Sequence, residues 1–263
     1  MMKKALLLIL IFTIGGITSR AQTTDIVVPP KVSHAEPIYF DLIRDLGARK
    51  GEKELNVGMG VAGRSGRTDY SYLVEYEFAP VNRLGLEIEV PIAFQAPVTS
   101  DPQQKPHRGV EGIKAAAQYS FFVSAKFKTT MAVGYIFEKG LFTSDLVSAH
   151  NPFFIVAKRW GKQFHSLIYA GPLYELGQHH RVTQCVLING SVHFLLTGTR
   201  NFIGVEINSE CARDRNALSV RPQIKMGLSS TSSLGLAVGM SNSHSDQSVD
   251  FLIRWIYEFK KKN

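Results

Sequence analysis

The chain is poor in cysteine, with two in 263 residues. After its first residues it holds no uninterrupted apolar run near the roughly 20 residues that a membrane-crossing helix needs. The second absence excludes a helical membrane protein. Common catalytic signatures are missing as well: no GxSxG, no phosphate-binding loop and no HExxH occurs. Gly58-Met59-Gly60-Val61-Ala62-Gly63 matches GxGxxG in letters only. Those glycines lie within and at the end of a strand-like run, whereas the dinucleotide fingerprint follows a strand and opens a helix. Ser191 and His193 share one strand face, and two residues on one face are not a triad. No enzyme activity and no cofactor is expected. Basic residues are not interleaved with aromatics in any cluster, so no nucleic-acid partner is expected.

What is present begins with MMKKALLLILIFTIGGITSRAQTT. Lys3 and Lys4 precede an apolar run from Ala5 to Ile17, and Ser19-Arg20-Ala21 is the small-residue stretch of an export cleavage site. Residues 1–22 are therefore expected to be a signal peptide. No cysteine follows the cut, which argues against lipid anchoring. Its removal takes three of the eight excess positive charges and leaves +5.

The remaining chain is dominated by alternation. Strands are expected at about 53–62, 69–78, 83–94, 110–123, 126–138, 151–160, 163–174, 181–196, 200–210, 217–228, 233–241 and 247–259, twelve in all. Each is about 10 residues or more, the length of a tilted strand crossing a bilayer. Connections after the even-numbered strands are tight, and those after the odd-numbered ones tend to be longer, notably 95–109, 139–150 and 209–216. Outer-membrane barrels sort their turns this way, with short turns and both termini in the periplasm. In the second strand Tyr70, Tyr72, Val74, Tyr76 and Phe78 oppose Ser71, Glu75 and Glu77. In the last, Val249, Phe251, Ile253, Trp255, Tyr257 and Phe259 share one face. The fold expected is an all-β, twelve-stranded antiparallel transmembrane barrel over residues 53–263, with its apolar face toward outer-membrane lipid.

Five stretches, HAEPIYFDLIRDLGARKGEKE, YLVEYEFAPVNRLGLEIEVP, NPFFIVAKRWG, GTRNFIGVEIN and RPQIK, together resemble a family of outer-membrane β-barrel proteins of Bacteroidota type. The resemblance implies an outer-membrane barrel and brings no catalytic residue with it.

Residues 23–52 are expected to form a periplasmic segment carrying one short amphipathic helix over 36–47. Pro37 suits its first turn, Gly47 its stop, and Ile38, Leu42 and Leu46 recur on one side. About ten residues are marginal alone and need a surface. Three roles stay open: a cap over the barrel rim, a partial plug, or a docking element for a periplasmic partner. On the inferred inner face lie Glu75, Glu77, Glu87, Glu89, Lys114, Lys128, Glu206, Arg221, Lys225, Arg254 and Glu258. Such charges line a narrow aqueous pore or pair into a network that fills it. A pore or transporter for small polar solutes is the first reading; a non-conducting barrel with a structural or partner-binding role is the second. Histidines 107, 150, 179, 180 and 244 fall in or beside inferred loops without ligand spacing, so no metal is expected. Cys185 and Cys211 flank one hairpin bound for an oxidising compartment, and a disulfide is expected there. Strand parity argues the other way, because the two residues then face opposite sides of the wall unless a bulge intervenes.

Overall fold

A computed structural model describes residues 29–40, 42–64, 67–97, 108–141, 146–178, 182–212, 216–243 and 246–260. The expected signal peptide lies outside them. Alternation of outward apolar and inward small or polar side chains drives the chain into β1 (Lys53–Arg64), β2 (Arg67–Val81), β3 (Leu84–Pro97), β4 (Arg108–Val110), β5 (Gly112–Ser124), β6 (Thr129–Gly140), β7 (Leu146–Trp160), β8 (Phe164–Gly177), β9 (Val182–Leu195), β10 (Phe202–Ala212), β11 (Asn216–Gly227), β12 (Ser232–Ser243) and β13 (Asp246–Glu258). All pairings are antiparallel, and β1 closes the sheet on β13, with Glu54 opposite Glu258 and Gly63 opposite Val249. β4 and β5 both pair with β3 and make one stave, so the closed barrel has twelve. Their ladder breaks beside Pro91, which has no N–H to give; Glu111 N–H bonds the Pro91 carbonyl at 2.9 Å instead.

The wall is inside-out relative to a soluble barrel. Val74, Ile88, Val133, Ile168, Val192, Phe251 and Ile253 are exposed on the outer surface, while Glu75, Gln118 and Glu206 are fully buried inside. A continuous apolar outer belt with polar residues within fits a lipid-facing barrel. Near the rim where the chain enters β1, Trp160, Phe164, Trp255 and Phe259 are exposed together, as in an interfacial aromatic girdle. No helix among the described residues is long and apolar enough to cross a membrane.

Three expectations change. The connection expected over 139–150 contracts to 141–145, because the β6–β7 ladder runs out to Lys139 opposite Ser148. The contrast between short and long connections therefore rests mainly on 98–107. The cysteines are not bridged. Cys185 lies opposite Ala212 and Cys211 opposite Val186; Cys185 is buried toward the lumen and Cys211 is exposed on the outside, as side-chain parity requires without a bulge. Finally, no helix forms among the described residues of 36–47. Residues 38–40, 43–44 and 46–47 are bends and turns, and the reason lies inside the barrel.

Candidate functional site

Between residues 32 and 48, with residue 41 outside the described residues, the chain lies in the barrel lumen at the end nearest the start of β1. Ile38, Phe40, Leu42, Ile43, Leu46 and Ala48 are all buried, Ile43 completely. They meet an inner wall that is apolar over β5–β8: Ala116, Ala132, Phe153, Ile155, Ala157, Leu167 and Tyr169. Phe40 lies 5.5 Å from the Tyr169 ring, which stacks on Phe153 at 4.9 Å. Burying each large apolar side chain contributes about 1.5–3 kcal/mol, so the five from Ile38 to Leu46 hold the segment far more firmly than a loose rim cap.

Its backbone is satisfied by the wall, which is why no helix forms. The Ile38 N–H donates to Gln223 Oε1 at 2.9 Å, and the Tyr39 and Phe40 N–H groups donate to the two oxygens of Glu206 at 3.1 and 2.9 Å. Gln118 Nε2 donates to the carbonyls of Ile43 and Arg44, each at 3.2 Å, and Gly47 N–H donates to Ser120 Oγ at 2.8 Å. A buried backbone group without a partner is costly, and wall side chains here replace the partners a helix would have supplied. Two glycines make the fit. A Cβ on Gly85 would collide with the Ile43 carbonyl, and one on Gly235 would lie 2.9 Å from Ile38 Cδ1.

Ion pairs complete the docking. Arg44, 2% exposed and held at φ 54°, pairs with Glu54 and with Asp45, and stands 3.8 Å from Glu77. A left-handed non-glycine costs on the order of 1–3 kcal/mol, which the buried pairing offsets; removing one partner of such a pair costs about 3–5 kcal/mol. Burial works to raise the Asp45 carboxyl, but Arg44 and Lys31 outweigh it and hold the group well below the usual range. Lys225 reaches Glu36 at 2.7 Å, and the Arg221 guanidinium sits 3.4 Å from the centre of the Tyr39 ring. Across the lumen His34 Nε2 meets Thr130 Oγ1 at 3.0 Å, and Ala35 N–H donates to His165 Nδ1 at 3.0 Å. Burial, with His165 and Arg159 nearby, lowers the His34 imidazole to about 4, so it is neutral in place.

Of the charges expected inside, Glu75, Glu77, Glu87, Glu89, Glu206, Arg221 and Arg254 are buried within the barrel. Arg254 meets Glu75 at 2.6 Å, Lys114 meets Glu89 at 2.6 Å, and Arg221 meets Asp250 at 3.0 Å. Glu258 shares the inward parity of Arg254 but is exposed at the rim. Lys128 does not line the lumen. It sits in the β5–β6 turn with φ 50°, its Nζ on the Gly161 carbonyl at 2.8 Å, because β6 starts at Thr129, later than its pattern suggested. Ser191 and His193 both face inward on β9, yet neither Ser191 Oγ nor either His193 ring nitrogen makes a hydrogen bond, so no nucleophile–base pair forms. Sequence reasoning missed the convergence of His34, His165 and His193; the available signal was that His165 and His193 fall opposite each other on β8 and β9. Histidines 107, 179, 180 and 244 lie outside the described residues, and His150 bonds Tyr135 Oη at 2.6 Å. Of the apolar residues of 36–47, Ile38, Phe40, Leu42, Ile43 and Leu46 are buried against the wall, and Tyr39 is exposed.

These features define a transmembrane β-barrel whose lumen is occluded by its own N-terminal segment. The chain belongs to the HAEPLYID-like family, whose model matches residues 30–258. Residues 34–41 of this chain, HAEPIYFD, depart from the letters of that name only at Ile38 and Phe40, and Ala35, Ile38 and Phe40 among them are buried in the lumen. No curated protein sequence matches. Among solved structures, the chain is similar to the COG4313 outer membrane channel from Pseudomonas putida F1, with 9% identity, a TM-score of 0.68 and coverage of 82% of this chain and 98% of that one. It is also similar to the NanC porin, with 9% identity, a TM-score of 0.60 and coverage of 78% and 100%. For the KdgM porin the values are 13%, 0.54, 78% and 99%. At such identities the likeness is one of fold.

The close approach at Gly85 gives a direct prediction. Gly85→Ala lets the barrel fold but forces the Ile43–Arg44 backbone away from β3. Overpacking of this kind costs about 1–3 kcal/mol, roughly a 5- to 150-fold rise in the undocked population. Trypsin cleavage after the buried Arg44 in native, detergent-solubilised protein should accelerate to match. Equal cleavage rates in wild type and variant would show that the segment does not need this contact.

Proposed function

We propose that this protein is an outer-membrane channel for small polar solutes whose resting state is closed by residues 29–52, and that solute passes only when this segment moves. The observation that carries the reading is the division of the lumen along its length. Around residues 36–47 it is filled by packed, largely apolar side chains, whereas the next inward layer on β7, β9, β10 and β11 changes to polar side chains, Asn151, Asn189, Asn208 and Ser219. The channel or porin descriptions of the COG4313, KdgM and NanC structures support the same reading. A non-conducting structural barrel is the second reading, favoured by the depth of the Phe40–Ile43 packing.

The orientation proposed places the β1 entry rim in the periplasm. The longest connection, 98–107, lies at the opposite rim, where external loops belong. An epitope inserted after Gln103 should bind antibody on intact cells, and one after Asn263 should bind only after the outer membrane is opened; the reverse pattern would invert the orientation.

In planar bilayers the wild-type chain should give rare unit openings and Gly85→Ala frequent ones of the same size. Unit conductance is set by the barrel wall, which the substitution leaves in place, and open probability by docking. A folded Gly85→Ala protein as silent as wild type would leave the non-conducting barrel standing.

A further inference from the structure

We infer that the barrel holds an anionic phospholipid by its phosphate headgroup, in a seat made by Lys126, Lys128, Lys158 and Lys162 on the outer face of β7 and the two turns beside it. The inference concerns the lipid-facing surface and stands whether or not the lumen conducts.

Charge is sorted in the sequence. Residues 112–137 and 146–174, which supply nearly all of β5 to β8, contain no Asp or Glu. The turns after β5 and β7, residues 125–128 and 161–163, lie at the rim where the chain enters β1, and they are tied together. Lys128 Nζ donates to the Gly161 carbonyl at 2.8 Å, and Lys158 Nζ donates to the Phe127 carbonyl at 2.9 Å. Lys126 and Lys162 are exposed on the same two turns. Among the described residues no carboxylate pairs with any of the four; their contacts are with carbonyl and hydroxyl oxygens and aromatic rings. Four like charges gathered in this way repel one another, and an anion seated among them removes that cost.

The depth of Lys158 says what kind of anion this is. Phe154 and Trp160, exposed on the outer surface, share its strand parity, whereas Phe153, Ile155 and Ala157 face inward. Lys158 therefore emerges on the lipid side, two residues deeper than Trp160. A cation on that face is costly unless its head reaches the interface. Its ammonium is led there: it lies 5.0 Å from the centre of the Trp160 ring as well as on the Phe127 carbonyl. The exposed rings of Phe127, Trp160 and Phe164 belong to the same rim, and Lys126 Nζ lies 5.7 Å from the centre of the Phe127 ring. Rings of this kind sit at the headgroup level of a bilayer. Below them the apolar belt suits an acyl chain, and at their level the lysines suit a phosphate. An acidic protein in water or a free ion has no use for the lower half of that seat, whereas an anionic lipid fills both halves.

The chain carries its own reporter. Trp160 is one of two tryptophans, the other being Trp255, so Trp255→Phe leaves a single indole at the seat. The test is quenching of its fluorescence, in phosphatidylcholine vesicles, by a fixed mole fraction of brominated phosphatidylglycerol or of brominated phosphatidylcholine. Phosphatidylglycerol should quench at least about 3-fold more strongly. Lys126→Gln/Lys128→Gln/Lys158→Gln/Lys162→Gln in the same background should bring that ratio to about one. A salt arm keeps the lysines and so reads their charge even where the quadruple variant fails to fold: raising KCl from about 0.05 M to about 0.5 M should move the ratio toward one. A ratio near one at low salt, a ratio unmoved by salt, or a folded quadruple variant that keeps the enrichment overturns the inference.

Discussion

The constraint on which this structure depends is an apolar inner wall that cannot be left to water. A transmembrane barrel puts one strand face toward lipid and the other toward its lumen, and over most of this barrel the inner face is polar. Over β5–β8 it is not: Phe153, Ile155, Ala157 and Leu167 are buried within the barrel. A water-filled lumen would expose them. Phe40, Leu42, Ile43 and Leu46 cover them instead, and in doing so they convert a tube into a closed body with a packed interior core at one end.

Once the segment is inside, the rest of its chemistry is forced. Its peptide groups lose water, so Gln118, Ser120, Glu206 and Gln223 must supply partners. Its charges lose water, so Arg44 must lie against acids and Glu36 against Lys225. The wall must also leave room, which Gly85 and Gly235 do by having no side chain. The polar groups contribute register more than net energy: an apolar patch would accept the segment in many poses, whereas Glu206 holding two successive N–H groups accepts one.

The barrel was legible in the sequence because alternation, strand length and the even count all report on the same physical object, a wall two-sided at every residue. The segment inside it was legible only as an amphipathic stretch. Pro37, Gly47 and the spacing of Ile38, Leu42 and Leu46 are what a short helix shows, but they are also what an irregular chain shows when its apolar residues meet a curved wall and its N–H groups find side-chain acceptors. A clue lay in Phe153-Phe154-Ile155-Val156-Ala157, apolar on both faces. Such a run in a membrane barrel needs an apolar partner inside as well as lipid outside. The expected disulfide failed because compartment was weighed above parity, and the hairpin keeps Cys185 and Cys211 on opposite faces. Lys128 failed for a smaller reason, a strand start misplaced by a few residues at a turn.

The central claim is that residues 35–47 lie docked in the lumen of the resting protein. Hydrogen–deuterium exchange of the full-length chain in lipid nanodiscs addresses it without any substitution. The amides of Ile38, Tyr39, Phe40 and Gly47, bonded to Gln223, Glu206 and Ser120, should be protected to an extent comparable with strand amides of β5–β8. Exchange of the peptide spanning these residues at the rate of an unstructured chain would contradict the account.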